Sequence, residues 1–295
     1  MAQFPKINLA CFSSDRDFAL FASKFKEKGI QISCLVTEKP RPKGRKLVKS
    51  PNPAHRYALE HSIPVVAFEK FDEAYERQIK KYNAKLGFIF AYGKIIPASV
   101  IKLFEYGILN IHFSLLPEYR GATPIQQAIL DDKKLSGYTV FKITETLDRG
   151  EILIQEKEPI ATDDNFETYR AKLIAKALRT LPAIITRYAS GEFPLKAMPQ
   201  ESESYAGKIK KEDGQITNQD TARLALNKIR AYSFWPKTFV ILCNKRLIIH
   251  KAHLDQDNLA LDEVQLEGKT KMNFEEFKRG HSLLLTKLPK FVKIS

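Results

Sequence analysis

Hydrophobic and polar positions alternate most regularly within residues 107–124, where apolar Leu109, Ile111 and Phe113 are interleaved with Asn110, His112 and Ser114. Because successive side chains of a β-strand point to opposite faces, this alternation predicts a strand with one apolar and one polar face. Apolar residues continue at 115–117, so we expect a mostly buried strand whose C-terminal end opens into a cleft. Ligands of open α/β sheets bind at the carboxyl ends of the strands, which makes this end a candidate site.

Short apolar runs alternate with amphipathic runs through the first 189 residues. The runs predict strands at 7–12, 30–36, 64–68, 86–91, 138–144 and 151–160. The amphipathic spacing predicts a helix capped by Asp15, helices at 52–61 and from Asp72, a helix at 124–130 capped by Thr123, and a helix at 166–188 interrupted at Pro182. The repeated order of strand, helix and strand implies an α/β fold with a mostly parallel, Rossmann-like sheet. His55 and His61 lie in an otherwise polar helical run, so we interpret both as surface residues.

A shift in composition divides the chain. Residues 190–204 contain Gly191, Pro194 and Pro199 and little apolar periodicity, so we interpret them as a linker. Beyond the linker, 220–232 has the pattern of an amphipathic helix, and 239–242 and 247–249 alternate as strands do. The sequence therefore predicts domains at 1–189 and 205–295, the second smaller and β-rich.

The chain has 48 basic and 34 acidic residues and a net charge of +14. This excess favours a polyanionic partner, with a membrane surface or simple solubility as the alternatives. No run approaches the roughly 18 apolar residues that cross a membrane, and no secretory signal is visible. Three widely spaced cysteines predict neither a disulfide framework nor a metal site, and Cys11 and Cys34 lie in apolar strand-like runs. A reducing cytoplasm fits these features.

Basic residues are concentrated at 39–49, where six of eleven residues are Lys or Arg and none is acidic. Two prolines and a glycine exclude a helix interior or a central strand. The segment is either a solvated surface loop or a mobile arm that lies against phosphates, which require positive charge but no preformed geometry. We favour the second interpretation, with Arg41, Lys43, Arg45 and Lys46 as candidate phosphate contacts.

The central stretch carries the motif Asn-x-His-x-Ser-Leu-Leu-Pro-x-x-Arg-Gly-x-x-Pro. Taken alone, a histidine on a strand is more often a core residue than a catalyst, and an Asp beside a glycine usually caps a turn. The motif, however, resembles the signature of the formyltetrahydrofolate-dependent formyltransferases. The resemblance implies that Asn110, His112 and Asp148 form the catalytic set, with Asp148 fixing the imidazole tautomer and accepting a proton. Arg149 stands where the family usually has a small residue or Thr, and would brace a folate glutamate or a tRNA phosphate, or point to solvent.

The placement of the basic segment and the stretches 205–209 and 264–281 resemble one branch of the family, the methionyl-tRNA formyltransferases. This resemblance implies transfer of formyl from 10-formyltetrahydrofolate to methionyl-initiator tRNA for translation initiation, with no metal and with no protein or membrane partner evident. It also implies a folate pocket formed by Phe90, Ala91, Tyr92, Gly93, Ile95, Ser114, Leu115, Leu116 and Pro117. Two departures stand out. Ser13-Ser14-Asp15 replaces the usual Gly-Thr-Pro turn, and 252–261 looks too short for two strands of the usual small barrel, which predicts a shortened oligonucleotide-binding-type barrel.

Two other functions compete with this one. A sugar-nucleotide N-formyltransferase would use the same folate donor and the same site, but would not need the basic segment at 39–49. A non-catalytic RNA-binding protein would account for the positive charge, but not for the set of Asn110, His112 and Asp148.

Overall fold

A computed structural model of the chain describes residues 7–43, 48–70 and 72–294. The strands of the first part of the chain are β1 (Asn8–Phe12), β2 (Gln31–Glu38), β3 (Arg41–Lys43), β4 (Val48–Ser50), β5 (Val65–Phe68), β6 (Leu86–Ile89), β7 (Ile108–His112), β8 (Arg120–Gly121), β9 (Leu135–Ile143), β10 (Gly150–Pro159) and β11 (Lys196–Ala197). They are followed by β12 (Tyr205–Ala206), β13 (Thr238–Leu242), β14 (Lys245–Asp255), β15 (Asn258–Leu266), β16 (Met272–Asn273) and β17 (Val292–Lys293). The helices are α1 (Phe18–Glu27), α2 (Pro53–Glu60), α3 (Glu73–Lys80), α4 (Ala98–Ile101), α5 (Pro124–Leu130), α6 (Phe166–Ala189), α7 (Ala222–Ala231), α8 (Phe274–Gly280) and α9 (Ser282–Leu285), with a 3₁₀ turn at Lys211–Gly214.

An eight-stranded sheet carries the predicted Rossmann-like core, with the strand order β11-β10-β9-β7-β6-β1-β2-β5. The five strands from β7 to β5 pair in parallel. The β7–β9 and β10–β11 pairs are antiparallel. The predicted α/β fold is therefore confirmed. Because β1, β6 and β7 are parallel, their carboxyl ends lie at the same edge of the sheet. The strand order reverses at β1, which has β2 on one side and β6 on the other, and such sheets bind ligands at the carboxyl edge beside this point.

The central strands are almost wholly apolar because helices cover both faces of a doubly wound sheet. All four residues of β6 are buried, as are the last four of β1. Helix α1 turns Phe18, Phe21, Ala22 and Phe25 inward at helical spacing. The ring of Phe25 packs edge-on against Phe88 of β6, with the ring centroids 5.2 Å apart. The alternation of apolar runs in the sequence thus corresponds directly to the packed core.

Two of the three cysteines lie in this core, as the apolar runs predicted. Cys11 and Cys34 are buried, whereas Cys243 is exposed. Burial raises the pKa of the Cys34 thiol to about 12 and also raises the pKa of Cys11. Both buried thiols are therefore protonated and unreactive near neutral pH.

The described chain divides into two compact units. The first contains the residues up to 120 together with 137–157 and 173–204, and the second contains 121–136, 158–172 and the residues from 205 onward. Residues 190–204 thus group with the first unit, and β11 within them pairs with β10. The domain boundaries at 189 and 205 stay a prediction.

The second unit contains a β-rich layer with the order β13-β14-β15-β16, and β17 pairs with β15. Its core is apolar and includes Leu247, Ile249, Val264 and Phe277. Residues 252–261 were expected to be too short for additional strands. They form the distal part of the long β14–β15 hairpin, in which Asp255 pairs with Asn258. The expectation missed these strand ends because the two strands are joined by a turn of only two residues, Gln256 and Asp257, so one short stretch holds parts of both.

The expected interruption at Pro182 is wrong, since α6 runs unbroken from Phe166 to Ala189. Proline removes one helical hydrogen bond and costs about 3 kcal/mol in a helix interior. Fully buried Leu181 and Ile185 lie on either side of Pro182. Burying each such side chain is worth roughly 1.5–3 kcal/mol, which is enough to hold the helix together.

Two of the expected helix caps and one surface histidine also differ from expectation. Helix α1 begins at Phe18 after Asp17, and the Asp15 carboxylate accepts from the Asp17 N–H instead of capping the helix. Thr123 precedes α5, but its hydroxyl donates to the Gly207 carbonyl. His61 is exposed as expected, whereas His55 is only 9% exposed because α2 turns it inward with Ala54 and Ala58.

Candidate active site

Asn110 and His112 lie in the last three positions of β7, between two neighbouring strands. Asn110 pairs with Ile89 of β6 on one side and with Phe141 of β9 on the other, and His112 pairs with Thr139. Asn110 is half-buried and His112 is 7% exposed. The strand pairing therefore fixes both side chains near the carboxyl end of the sheet, as the alternation predicted.

His112 has a different partner on each side of its ring. Its Nε2 lies 2.9 Å from the backbone carbonyl oxygen of Tyr119. A carbonyl oxygen can only accept, so Nε2 carries the proton and donates it to this bond. On the other side, Nδ1 lies 3.8 Å from Oδ1 of Asp148, which is beyond hydrogen-bonding distance. The tautomer is therefore set by the Tyr119 carbonyl, and not by Asp148 as the resemblance had implied.

Asp148 lies in the tight turn from β9 to β10, and its side chain is only 9% exposed. Its backbone is in the left-handed region, with φ 46°. The turn is closed by bonds from both the N–H and the hydroxyl of Thr144 to the Arg149 carbonyl, each 3.1 Å long. Gly150 completes it with φ 154°, and a Cβ there would stand 1.8 Å from the Lys142 carbonyl oxygen. Close backbone packing thus determines where the carboxylate lies.

Four of the candidate folate residues, 114–117, follow β7. The Ser114 hydroxyl donates to the Glu118 carbonyl at 2.5 Å, and the Ser114 carbonyl accepts from Thr139 Oγ1 at 2.7 Å. The Leu116 N–H in turn donates to Thr139 Oγ1. Ser114, Leu116 and Pro117 are buried, and Leu115 is half-buried. Of these four residues, Leu115 is therefore the one with a substantially accessible side chain.

The turn after β6 carries the remaining candidate folate residues. Phe90 is buried and packs against Phe21, with ring centroids 4.4 Å apart. Ala91, Gly93 and Ile95 are exposed. The Tyr92 hydroxyl is buried without a hydrogen-bond partner within the part of the chain that the structure describes. Burial also raises the pKa of Tyr92, and nearby Glu38 adds to the rise. The turn therefore combines accessible backbone with a neutral hydroxyl that has an unmet hydrogen bond.

The basic segment contains a short antiparallel hairpin of β3 and β4, in which Arg41 pairs with Ser50. The Arg41 guanidinium is well exposed and donates to Glu38 Oε1 at 3.1 Å. Arg45 and Lys46 lie outside the described residues, and so does the side chain of Lys43. The sequence excluded a central strand here, which agrees with the isolated hairpin.

Sequence reasoning missed an ion-pair network beside the Asp148 turn. Glu203 contacts Arg120 through one carboxylate oxygen and Arg149 through the other, the second contact being 2.6 Å long. Arg149 therefore pairs with Glu203. No sequence pattern joins these residues, because Glu203 lies in a stretch interpreted as a linker. The only signal was the unusual arginine at 149.

Comparisons with known proteins agree with this geometry. The Formyl transferase family model matches residues 6–185, and the model of the formyl transferase C-terminal domain matches 208–260. The chain is 32% identical to a methionyl-tRNA formyltransferase from Caldicellulosiruptor saccharolyticus, over 92% of this chain and 96% of the relative. The chain belongs to the formyl transferase family. The predicted enzyme class and the resemblance to methionyl-tRNA formyltransferases are thereby confirmed.

Solved structures extend the comparison. A phosphoribosylglycinamide formyltransferase from Bacillus halodurans is 27% identical, with a TM-score of 0.54 over 62% of this chain and 95% of that one. An N-formyltransferase from Helicobacter canadensis, solved with folinic acid and dTDP-3-aminofucose, is 19% identical. Its TM-score is 0.65 over 85% of this chain and 89% of that one. The second likeness shows the fold alone, whereas family membership supports a folate-derived formyl donor.

Among the described residues, no helix is long and apolar enough to cross a membrane. Across the same residues, no three His, Cys, Asp or Glu side chains are grouped so that they could hold a metal ion.

Proposed function

We propose that this protein transfers a formyl group from 10-formyltetrahydrofolate to the α-amino group of methionyl-initiator tRNA, in the cytoplasm. The observation that carries the proposal is the nearly buried pair of His112 and Asp148, 3.8 Å apart, beside Asn110 at the carboxyl end of β7. Full-length relatives named methionyl-tRNA formyltransferase support the choice of acceptor.

Attack on the formyl carbon is the first step. A free α-amino group titrates near pH 8, so a useful fraction of the acceptor is already nucleophilic at neutral pH. The new C–N bond converts the formyl carbonyl into a tetrahedral oxyanion, which needs a hydrogen-bond donor. The Asn110 amide supplies such a donor at any pH, because it does not titrate in this range.

Proton transfer completes the reaction, and its direction follows from the bonds of His112. Since Nε2 is engaged by the Tyr119 carbonyl, Nδ1 accepts the proton from the newly formed ammonium. The Asp148 carboxylate then stabilises the imidazolium. When the bond from the formyl carbon to the folate nitrogen breaks, the same proton passes to that nitrogen. The products are formylmethionyl-tRNA and tetrahydrofolate.

The turn after β6 fits the pteridine ring of the donor. Exposed Ala91 and Gly93 allow a flat ring to approach the backbone, and exposed Ile95 offers an apolar contact. The Tyr92 hydroxyl, which has no hydrogen-bond partner among the described residues, would donate to a ring acceptor. Buried Phe90, Ser114, Leu116 and Pro117 would support the pocket from below, with Leu115 at its edge.

The basic residues suit the second substrate. Exposed Arg41, with Lys43, Arg45 and Lys46 of the same segment, would contact tRNA phosphates, in keeping with the net charge of +14. A sugar nucleotide carries too few phosphates to require so large an excess of positive charge.

The decisive experiment incubates the purified protein with 10-formyltetrahydrofolate and each of two acceptors, charged initiator tRNA and an amino-sugar nucleotide. We expect formylmethionyl-tRNA and no formylated sugar. Formylation of the sugar alone would establish the competing enzyme, and no product from either acceptor would favour the RNA-binding alternative.

A further inference from the structure

Glu203 connects the two residues that flank Asp148. Leu147 precedes Asp148, and its backbone carbonyl accepts two hydrogen bonds from the Arg120 guanidinium. Nε donates at 3.1 Å, and Nη2 donates to the same oxygen. Arg149 follows Asp148, and its Nη2 donates to Glu203 Oε2 at 2.6 Å. Because Glu203 also contacts Arg120, one carboxylate anchors both sides of the Asp148 turn.

The adjoining residue reaches the other partner of His112. The Ser204 hydroxyl accepts from the Tyr119 N–H at 2.8 Å, and the Ser204 carbonyl accepts from the Arg120 N–H. The Tyr119 carbonyl is the group that binds His112 Nε2. Glu203 therefore contacts the arginines that hold the Asp148 turn, and Ser204 contacts the backbone of Tyr119, whose carbonyl binds the other side of the imidazole ring.

The charges require this arrangement. The Arg120 side chain is 3% exposed, and a buried guanidinium is stable only beside a counter-ion with its donors satisfied. Glu203 provides the counter-ion, and the Leu147 carbonyl accepts from Nε and Nη2. A planar guanidinium held on two sides defines a direction as well as a distance. The Leu147 carbonyl, and with it the left-handed turn at Asp148, is consequently held at a set position.

We propose that Glu203 is a positioning residue for formyl transfer, holding the Asp148 turn against His112 through Arg120 and Arg149. The inference rests on the proposed function, because formyl transfer supplies the readout. Reacting groups displaced by about 1 Å can lose on the order of 10²-fold in rate, so a residue that never touches substrate can control turnover.

The test begins with Glu203→Ala in the full chain. We expect kcat for formylmethionyl-tRNA formation to fall by about tenfold or more, with KM for tRNA and for the folate donor changed by less than about threefold. Glu203→Gln keeps the shape but loses the charge, and should show a smaller loss. Glu201→Ala changes an exposed carboxylate two residues away and should leave both parameters unchanged.

An Asp148→Asn background separates positioning from general loss of structure. If Glu203 acts through Asp148, adding Glu203→Ala to Asp148→Asn should lower single-turnover rates by less than about twofold. The Asn110 donor remains in this background, so a residual rate is expected. A loss as large as that in the wild-type background would overturn the positioning role, as would a Glu203→Ala enzyme within twofold of wild type.

A second variant tests the proposal if Glu203→Ala does not fold. If melting curves show that Glu203→Ala is unfolded, Arg149→Met removes one arm and leaves the Arg120–Glu203 pair intact. It should lower kcat severalfold in the wild-type background and have no further effect with Asp148→Asn; equal losses in both would overturn the proposal. A wild-type protein inactive on charged tRNA would instead overturn the proposed function, which keeps the two failures distinct.

Discussion

At the scale of single residues, the histidine of the site has two supports with different chemistry. The Tyr119 carbonyl holds the proton on Nε2, while the Asp148 carboxylate lies 3.8 Å from Nδ1. The carbonyl accepts from Nε2 whether or not Nδ1 is protonated, and the carboxylate lies on the side of the nitrogen that takes up the second proton. The arrangement therefore suits a histidine that gains and loses a proton during each turnover.

His112→Ala and Asn110→Ala should each lower kcat for formyl transfer by about 10²-fold or more, because each removes a group needed in the transition state. Steady-state kinetics at saturating tRNA and folate donor would measure this. Melting curves of both variants are the control for folding, because His112 is nearly buried and bonded to the Tyr119 carbonyl. Near-normal turnover in either folded variant would contradict the assignment.

His55 predicts an acid-sensitive stability outside the site. Burial lowers its pKa in the folded state, and a hydrogen bond to the Glu38 backbone partly opposes the shift. The unfolded chain therefore binds the proton more tightly, so the free energy of unfolding should fall as pH drops below the ordinary histidine pKa of about 6.5. Urea unfolding at pH 7.5 and 5.5 should show a smaller fall for His55→Gln than for wild type. His61→Gln, on the exposed face of the same helix region, should keep the wild-type dependence; equal falls in all three proteins would contradict the role of His55.

The alternation around residue 110 was enough to predict which side chains share a strand face, since that depends only on local geometry. The role of Asp148 could be predicted only from the family resemblance, because Asp-Arg-Gly by itself indicates an ordinary turn. The Arg120–Glu203 pair could not be predicted from the sequence. It exists only because folding brings two distant segments together, and one of them carried no periodic pattern.

At the scale of elements, the β9–β10 turn is the most constrained piece of the site. Gly150→Ala would place a methyl group against the Lys142 carbonyl, 1.8 Å away, at a backbone angle that side chains rarely adopt. We expect a loss of about 1–3 kcal/mol in the free energy of unfolding, with a lower kcat because the Asp148 turn must shift. Gly280→Ala, where a Cβ meets open space, is the control and should unfold like wild type. A Gly150→Ala enzyme with the wild-type free energy of unfolding and kcat would show that the turn accommodates a methyl group.

The hairpin of β3 and β4 is the element that should engage phosphate. Replacing Arg41, Lys43, Arg45 and Lys46 by Ala should weaken tRNA binding and preserve folate binding. Each lost phosphate contact should reduce the slope of log affinity against log salt by about 0.7–0.9. Replacing exposed Arg77, Lys80 and Lys81, in and just after α3, is the control. A slope that stays constant in the hairpin variant would mean that the segment is a solvated surface loop.

Elements were predicted well where burial and propensity agreed, as in β1, β6 and α1. They were missed where tertiary contacts outweighed a local signal. Buried Leu181 and Ile185 carry α6 through Pro182, and the pairing of β14 with β15 extends through residues 252–261. A local pattern cannot report contacts made elsewhere in the chain.

At the scale of the whole molecule, the distribution of charge separates affinity from chemistry. Residues 205–295 contain 17 basic and 10 acidic side chains, a net +7, which is half of the total charge in under a third of the length. We expect this region to hold tRNA through phosphates without regard to sequence, because phosphate contacts carry no base information.

Replacing exposed Lys208, Lys210 and Lys211 by Ala should raise the KM for tRNA and lower the salt slope, while kcat and the preference for initiator over elongator tRNA persist. Parallel assays with both tRNAs at two salt concentrations would test this. Unchanged KM and salt slope would contradict a role of these lysines in binding tRNA.

The bond between His112 and the Tyr119 carbonyl has a consequence for genetics. Its acceptor belongs to the main chain, so every amino acid at position 119 supplies the same oxygen, and alanine scanning is blind to it. Tyr119 has φ 57°, so replacement by a β-branched residue would disturb the contact only by straining the backbone. An amide-to-ester exchange between Tyr119 and Arg120 makes that carbonyl a weaker acceptor, and it also removes the Arg120 N–H that donates to the Ser204 carbonyl. Side-chain mutagenesis of this site would therefore detect the Asp148 carboxylate but miss the Tyr119 carbonyl, although both groups contact the imidazole of His112.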